Sequence, residues 1–334
     1  MKPLAAMLLL SSALAVAQPP CLEERSNPGV WQLQLDQHSR IEEEGNGRGA
    51  ALRSDGIDKA SACTGARGAS SRAWVAKPRI EYEGGDASER RAEVRDEEIV
   101  EDRGGQFVRF AIGAANVRNR SGMAIKARMQ VNLYGNRKLN RYAQEIDVRL
   151  GPGFAILLDQ PPAIDWLTLG EWWNDAPWVN RTRGFRVSLN LHKPAGAAEG
   201  AWRLVAHAQS MDPATGKWLS PYWRASSPAV LKVGRWNRLQ ISLVEGDEES
   251  GRFALALVEG EARTPLIDVR GRTRHDDSGD DGWVHVNPIK LYTSKPNLDS
   301  VRRQGAELSL DWRRLRVINC DIAKDEAACQ LTAR

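Results

Sequence analysis

The chain has 334 residues, 47 Lys and Arg against 43 Asp and Glu, and a formal net charge of +4. A balance this close to neutral, with no basic run interleaved with aromatics, argues against a nucleic-acid partner. Beyond the N-terminus nothing approaches the about 20 consecutive apolar residues that a membrane-spanning helix needs.

In chain order, Met1-Lys2-Pro3, an apolar run from Leu4 to Val16 and the ending Ala15-Val16-Ala17 have the form of a bacterial-type signal peptide over 1–17. The mature protein is expected to be secreted or periplasmic, and monomeric. Cys21, Cys63, Cys320 and Cys329 remain, an even number in an exported chain, so two disulfides are expected. Four cysteines allow three pairings. Cys320–Cys329 and Cys21–Cys63 close the two ends, with end-to-end stapling as the alternative. No Cys-x-x-Cys or Cys/His spacing points to a zinc site. The cations are overwhelmingly arginine, which grips carboxylates and sulfates with two prongs, although arginine-favouring codon bias is the simpler reading of such a composition. Tryptophan is abundant at 12 residues, mostly expected in the core.

Strand signals dominate. Val30–Leu35 alternates, 36–71 reads mostly as loop with a strand near Ala50–Arg53, and strands follow at Ala73–Glu83, Gln106–Val117 and the end of Met123–Tyr134. Arg90–Val100 alternates poorly between two Gly-Gly pairs. Leu167–Gly170 is apolar and runs into Glu171-Trp172-Trp173-Asn174. In Phe185–Lys193, Phe185, Val187, Leu189 and Leu191 share one face, and Arg186, Ser188, Asn190 and His192 share the other. Further strands are Ala201–Gln209, a hairpin of Trp236–Val244 with Arg252–Glu259, then Val284–Ser294 and Leu308–Ile318. Short strands at turn-separated intervals predict an all-β sandwich or jelly roll. The expected organisation is a leader (1–17), an N-terminal extension (18–72), a β-jelly-roll domain (73–319) and a tail (320–334).

Four features in this order resemble the jelly-roll polysaccharide lyases of the concanavalin A-like superfamily, which include heparin-lyase-like and alginate-lyase-like enzymes. They are Arg91-Ala92-Glu93-Val94, the strand Leu167 to Trp173, Val233-Gly234-Arg235-Trp236, and Lys290-Leu291-Tyr292 followed by Leu310-Asp311-Trp312. The resemblance spans about residues 75–318. It implies two antiparallel sheets and β-elimination on an acidic, uronate-containing polysaccharide. It also implies Arg91 as the group neutralising the uronate carboxylate, Tyr292 as acid and perhaps base, and Lys290 as its neighbour. Where that family carries Gln-x-His, this chain has Glu171-Trp172-Trp173, and Asn174 and His192 are the nearest substitutes for the amide and the base.

From the residues themselves, Trp173, Asn174, Arg186, Ser188 and Asn190 are candidate substrate contacts, Trp173 as a sugar platform. Each has a plainer reading. Arg91 with Glu93 reads equally as a surface ion pair, His192 as a solvent-facing imidazole, and Glu171 as a buried salt bridge to an arginine such as Arg186. Alternatives to a lyase are a glycoside hydrolase, pairing Glu171 with Asp175 or Glu93, and a non-catalytic glycan-binding module. The acidic loop His275–Gly282 has the ligand type for a structural Ca²⁺ but not EF-hand spacing, and a solvated loop is the simpler reading.

Overall fold

A computed structural model describes residues 30–33, 35, 39–45, 49–53, 79–83, 89–100, 103–113, 126–134, 136, 138–159, 166–175, 184–193, 201–275, 282–322 and 329. Two antiparallel sheets pack face to face as a jelly-roll sandwich, as the strand pattern predicts. Strands are numbered in chain order. The first sheet runs β15 (Ala262–Arg270), β14 (Arg252–Glu259), β13 (Trp236–Val244), β8 (Arg141–Leu150), β18 (Leu308–Asn319), β6 (Arg103–Ile112), β5 (Arg90–Val100). β1 (Val30–Gln32) pairs with the far end of β18. The second sheet runs β12 (Trp223–Lys232), β11 (Ala201–Ser210), β10 (Phe185–His192), β9 (Leu167–Asp175), β16 (His285–Asn287), β7 (Lys126–Tyr134), β4 (Arg79–Glu83), β3 (Gly49–Arg53), β2 (Arg40–Glu43). β17 (Lys290–Ser294) also pairs with β7 and β9. Thus β1, β2 and β3, all within residues 18–72, are strands of the sandwich.

The core lies between the sheets. Trp172 of β9 packs against Tyr142 of β8 and Phe253 of β14, with ring centroids 6.4 and 6.1 Å apart. Phe110 meets Trp312 at 5.6 Å. The alternation in β10 places Phe185, Val187, Leu189 and Leu191 in this core. Two helices, α1 (Gly153–Asp159) and α2 (Lys295–Arg302), cover one end, with Phe154 of α1 against Trp202. The expected hairpin is β13–β14, whose turn is held by Asp247 accepting from Ser250 N at 3.0 Å and Ser250 Oγ at 2.6 Å. Cys320 and Cys329 are bonded; Cys21, Cys63, the leader and residues 276–281 lie outside the described residues.

The segment Val284–Ser294 is not the single strand expected. It splits at Pro288-Ile289 into β16 and β17, which fill one sheet position end to end between β7 and β9. Proline has no N–H to give to the ladder, yet Ile289 O still accepts from Val131 N at 3.0 Å. Strands β2, β8, β12 and β15 and both helices are additions to the predicted set. In β8 the apolar face is interrupted by Gln144, which is buried and accepts from Tyr142 Oη at 2.6 Å.

Candidate functional site

The outer face of the second sheet carries polar side chains in rows that cross the strands. One row is Arg128 (β7), Tyr292 (β17), Thr168 (β9) and Asn190 (β10), successive partners in the ladder. Thr168 Oγ1 donates to Asn190 Oδ1 at 2.8 Å. A second row is Asn287 (β16), Glu171 (β9), Ser188 (β10) and His207 (β11). A third is His285, Trp173, Arg186 and Gln209. Glu81, Gln130 and Lys290 lie on the same face. Thr168 and Glu171 are three residues apart yet share this face because a β-bulge at Leu169-Gly170, opposite the Leu189/Asn190 step, resets the alternation.

Glu171 lies at the centre. Its Oε1 accepts from Arg186 Nη1 at 2.5 Å and its Oε2 accepts from Lys290 Nζ. Both Glu171 and Lys290 are only 1% exposed. Burial alone would raise the Glu171 carboxyl, but the Lys290 ammonium and the Arg186 guanidinium outweigh it and hold the carboxyl well below the usual range. Burial lowers the Lys290 ammonium, with Glu171 opposing and Arg128 adding to the shift. A carboxylate with both oxygens engaged and no solvent contact cannot deliver or accept a proton in a cleft. Glu171 thus forms a buried ion pair with Arg186, extended by Lys290.

Tyr292 is half-buried above this pair. The Lys290 and Lys126 ammonium groups lie 4.9 and 5.5 Å from its ring centroid, and Trp166 meets it edge-on at 5.9 Å. Two imidazoles absent from the sequence expectations flank the site. His207 Nε2 is 2.9 Å from both Ser188 Oγ and Gln209 Oε1, and its Nδ1 is 3.4 Å from Asn190 Nδ2. This network fits the tautomer with the proton on Nε2 and the Nδ1 lone pair toward an amide donor. Desolvation, followed by the Arg186 charge, pulls His207 down to about 4, so it is neutral at pH 7. His285, 3.1 Å from Asn287 Nδ2, is lowered to about 4 by burial and by Lys290. The sequence signal for both was period-two parity: each occupies a polar-face position opposite an identified residue.

Three expected site residues fall elsewhere. Arg91 is on β5 of the other sheet, donating to Glu93 at 2.7 Å and to Glu307 at 2.9 Å, so it is a surface ion pair and shares no face with Tyr292. Asn174 has the parity of Trp172, not Trp173, and its side chain points inward, donating to Glu245 and to Gly282 O at 3.1 Å. It ties β9 to the first sheet's end. Trp173 is on the site's face but only 5% exposed. The Trp218 ring lies 5.6 Å from it, and Arg186 stacks 3.7 Å from the Trp218 centroid. Trp218, in the connection between β11 and β12 after a left-handed turn at Gly216, presents the more accessible surface. His192 sits at the end of β10, 3.0 Å from Arg224 Nη2, on the rim. Ser188, Asn190, Arg186, Lys290 and Tyr292 are brought together.

Among the side chains described on this face, Lys126, Arg128, Arg186, Arg224 and Lys290 outnumber Glu81 and Glu171. Arg128 donates to Glu81 at 3.0 Å. The face suits an anionic ligand. A cavity of 360 Å³ lies away from this face, on the first sheet. No group of three or more His, Cys, Asp or Glu suited to a metal ion occurs among the described residues, and none of their helices is long and apolar enough to cross a membrane.

No protein-family model and no curated protein matches the chain. Among solved structures it is similar to the endo-β-1,4-glucuronan lyase from the fungus Trichoderma reesei, at 11% identity and a TM-score of 0.44, over 73% of this chain and 98% of that one. It is also similar to alginate lyase Aly36B, at 10% identity and a TM-score of 0.41, over 88% and 98%. A third is the alginate lyase from Aplysia kurodai, at 10% and 0.38, over 72% and 90%.

Proposed function

We propose that the chain is an exported polysaccharide lyase that cleaves an acidic, uronate-containing glycan by β-elimination on the outer face of the second sheet. The observation that carries this reading is the row Arg128–Tyr292–Thr168–Asn190, with His207 hydrogen-bonded next to it. It puts a cation, a phenol, amide donors and a neutral imidazole on one cationic face.

The reaction needs these groups. A uronate's C5 proton becomes acidic enough to remove only when its carboxylate is neutralised. Arg128, flanking Tyr292, takes the role first expected of Arg91, with the Asn190 amide nearby. His207, or the phenolate of Tyr292, takes the C5 proton; the C5–H electrons form the C4=C5 double bond as the C4–O4 bond breaks. Tyr292 returns a proton to O4. Glu171 repels no substrate, because Lys290 and Arg186 already neutralise it. Its service is to hold Arg186 against Trp218 and Lys290 beneath Tyr292. The hydrolase alternative is weakened for the same reason: the Glu171 carboxyl is fully engaged, and Glu93, one of the two partners considered with Asp175, lies on the other sheet.

The test is ultraviolet absorbance of the unsaturated product on alginate, glucuronan, heparin-type and pectic substrates. The reading expects absorbance on at least one and its loss, by roughly 10²-fold or more, in Tyr292→Phe. Binding without absorbance on the whole panel would reduce the protein to a glycan-binding module.

A further inference from the structure

The 360 Å³ cavity on the first sheet lies on its outer surface, across the sandwich from the face described above. Its lining includes four guanidinium groups, Arg238 of β13 and Arg313, Arg314 and Arg316 of β18, against one carboxylate, Glu145 of β8. Three of these arginines converge on a single further carboxylate, Asp147. Arg238 Nε approaches it at 2.8 Å, and Arg313 Nε and Arg314 Nη1 at 3.5 Å. Arg313 also reaches Glu97 at 2.9 Å, but that carboxylate is shared with Arg149 and with the indole of Trp236. Arg316 Nη1 lies 4.0 Å from Glu145, so four guanidinium groups face Glu145, Asp147 and the shared Glu97, and positive charge is in local excess.

Backbone geometry builds this cluster. In a regular strand Arg313 and Arg314 would face opposite sides. A bulge between Arg313 and Arg316 inserts Arg314 as an extra residue with φ of 53°, so Arg313, Arg314 and Arg316 all lie on the outer side while Trp312, Leu315 and Val317 stay in the core. A non-glycine residue held in the left-handed region costs about 1 kcal/mol or more, which points to a function for the side chain it presents. Arg313 is more than nine-tenths buried, and its Nε meets Asp147 only as a 3.5 Å ion pair, without hydrogen-bond geometry. Gln106 Oε1, also lining the cavity, has no donor. Leu33 and Leu35 supply an apolar wall.

We infer that this cavity is a second binding site for an acidic glycan, taking one carboxylate- or sulfate-bearing sugar. The arginines meet the anionic group, Gln106 accepts from a hydroxyl, and the leucines meet the sugar's C–H face. That the anion belongs to a glycan rests on the function proposed above; the recognition of an anion does not. A chain gripped on both outer faces of one sandwich would raise local substrate concentration without touching the reacting groups.

The test is calorimetric titration of the full chain, made inactive by Tyr292→Phe, with a glucuronan hexasaccharide at low salt. Two binding sites are expected. Arg238→Gln with Arg314→Asn, asparagine being tolerated at positive φ, should remove one site or weaken it about tenfold or more. Arg314→Lys should keep it. In the active protein the same pair should leave turnover of short oligosaccharides at saturation unchanged. An unaltered isotherm in the double variant overturns the proposal, as does equal binding of an uncharged cellohexaose. Displacement by inorganic sulfate as effective as by the hexasaccharide at matched ionic strength would assign the cavity to a free oxyanion and overturn the glycan site. Absence of unsaturated product from the unmutated protein on every substrate would refute the lyase reading instead, leaving the two-site result to stand or fall by itself.

Discussion

Glu171 and Lys290 form an ion pair from which water is excluded, although both side chains project from the outer face of the sheet. Replacing Lys290 with Met leaves Glu171 buried with Arg186 alone. The expected loss is about 3–5 kcal/mol of unfolding free energy, read from urea midpoints at constant m. Glu171→Leu combined with Lys290→Met should recover most of that loss. Strictly additive losses in the double variant would show that the two groups do not act as a pair.

His207 and His192 should separate cleanly. His207→Gln keeps polar contacts to Ser188 and Asn190 but removes the proton acceptor, and turnover is expected to fall by roughly 10²-fold or more. His192→Gln, on the rim beside Arg224, should change turnover by no more than about threefold, because it makes no contact with the Tyr292 row. Initial rates by ultraviolet absorbance decide it. Equal losses in both variants would move the base away from His207.

The desolvated imidazoles of His207 and His285 set an acid limit. His207 and His285 each fall from an ordinary 6.5 to about 4 in the folded protein. Between those values the unfolded chain binds protons that the folded chain does not, so stability drops as pH falls from 6.5 toward 4 and levels off below. Each imidazole contributes up to about 3 kcal/mol. Glu171 acts lower: its stabilising charge is fully present above pH 4.5 and is lost as pH falls toward about 2. Chemical denaturation at pH 7, 5 and 4 should show the first decline, and His207→Gln should flatten it by about half. A flat profile from pH 7 to 4 would contradict the burial of both rings.

Trp218 shields Trp173 and supports Arg186. Trp218→Ala should raise KM about fivefold with little change in kcat, the worth of roughly 1 kcal/mol for an exposed cation–aromatic contact. Acrylamide should then quench Trp173 fluorescence that the native protein protects. A fall in kcat with KM unchanged would place Trp218 among the reacting groups.

Most of the sandwich was legible in the sequence, because alternation in β10, β13, β14 and β18 reports directly which side chains face the core. The face of β10 was equally legible: Arg186, Ser188 and Asn190 are where period two puts them. Asn174 was misassigned although its parity with Trp172 was visible, since the residue type suggested an amide for a ligand and the core was not expected to hold one. Arg91 was drawn to the site by a motif whose strand belongs to the other sheet; a short local pattern carries no information about sheet membership. His207 and His285 became significant only once pairing set them opposite Ser188 and Trp173. The bulge at Leu169-Gly170, which puts Thr168 beside Tyr292, leaves no mark in the hydropathy pattern.

The split strand β16–β17 has a consequence for assembly. The sheet position between β7 and β9 is filled by residues 285–294, more than 100 residues downstream of either neighbour's last residue. Until that segment wedges in, β7 and β9 each have an unpaired edge, and Lys290, Asn287 and Tyr292 are absent from the face they complete. The proposed binding face is therefore complete only when this segment pairs with both neighbours. One inserted segment thus closes two strand edges and supplies three side chains of the proposed face.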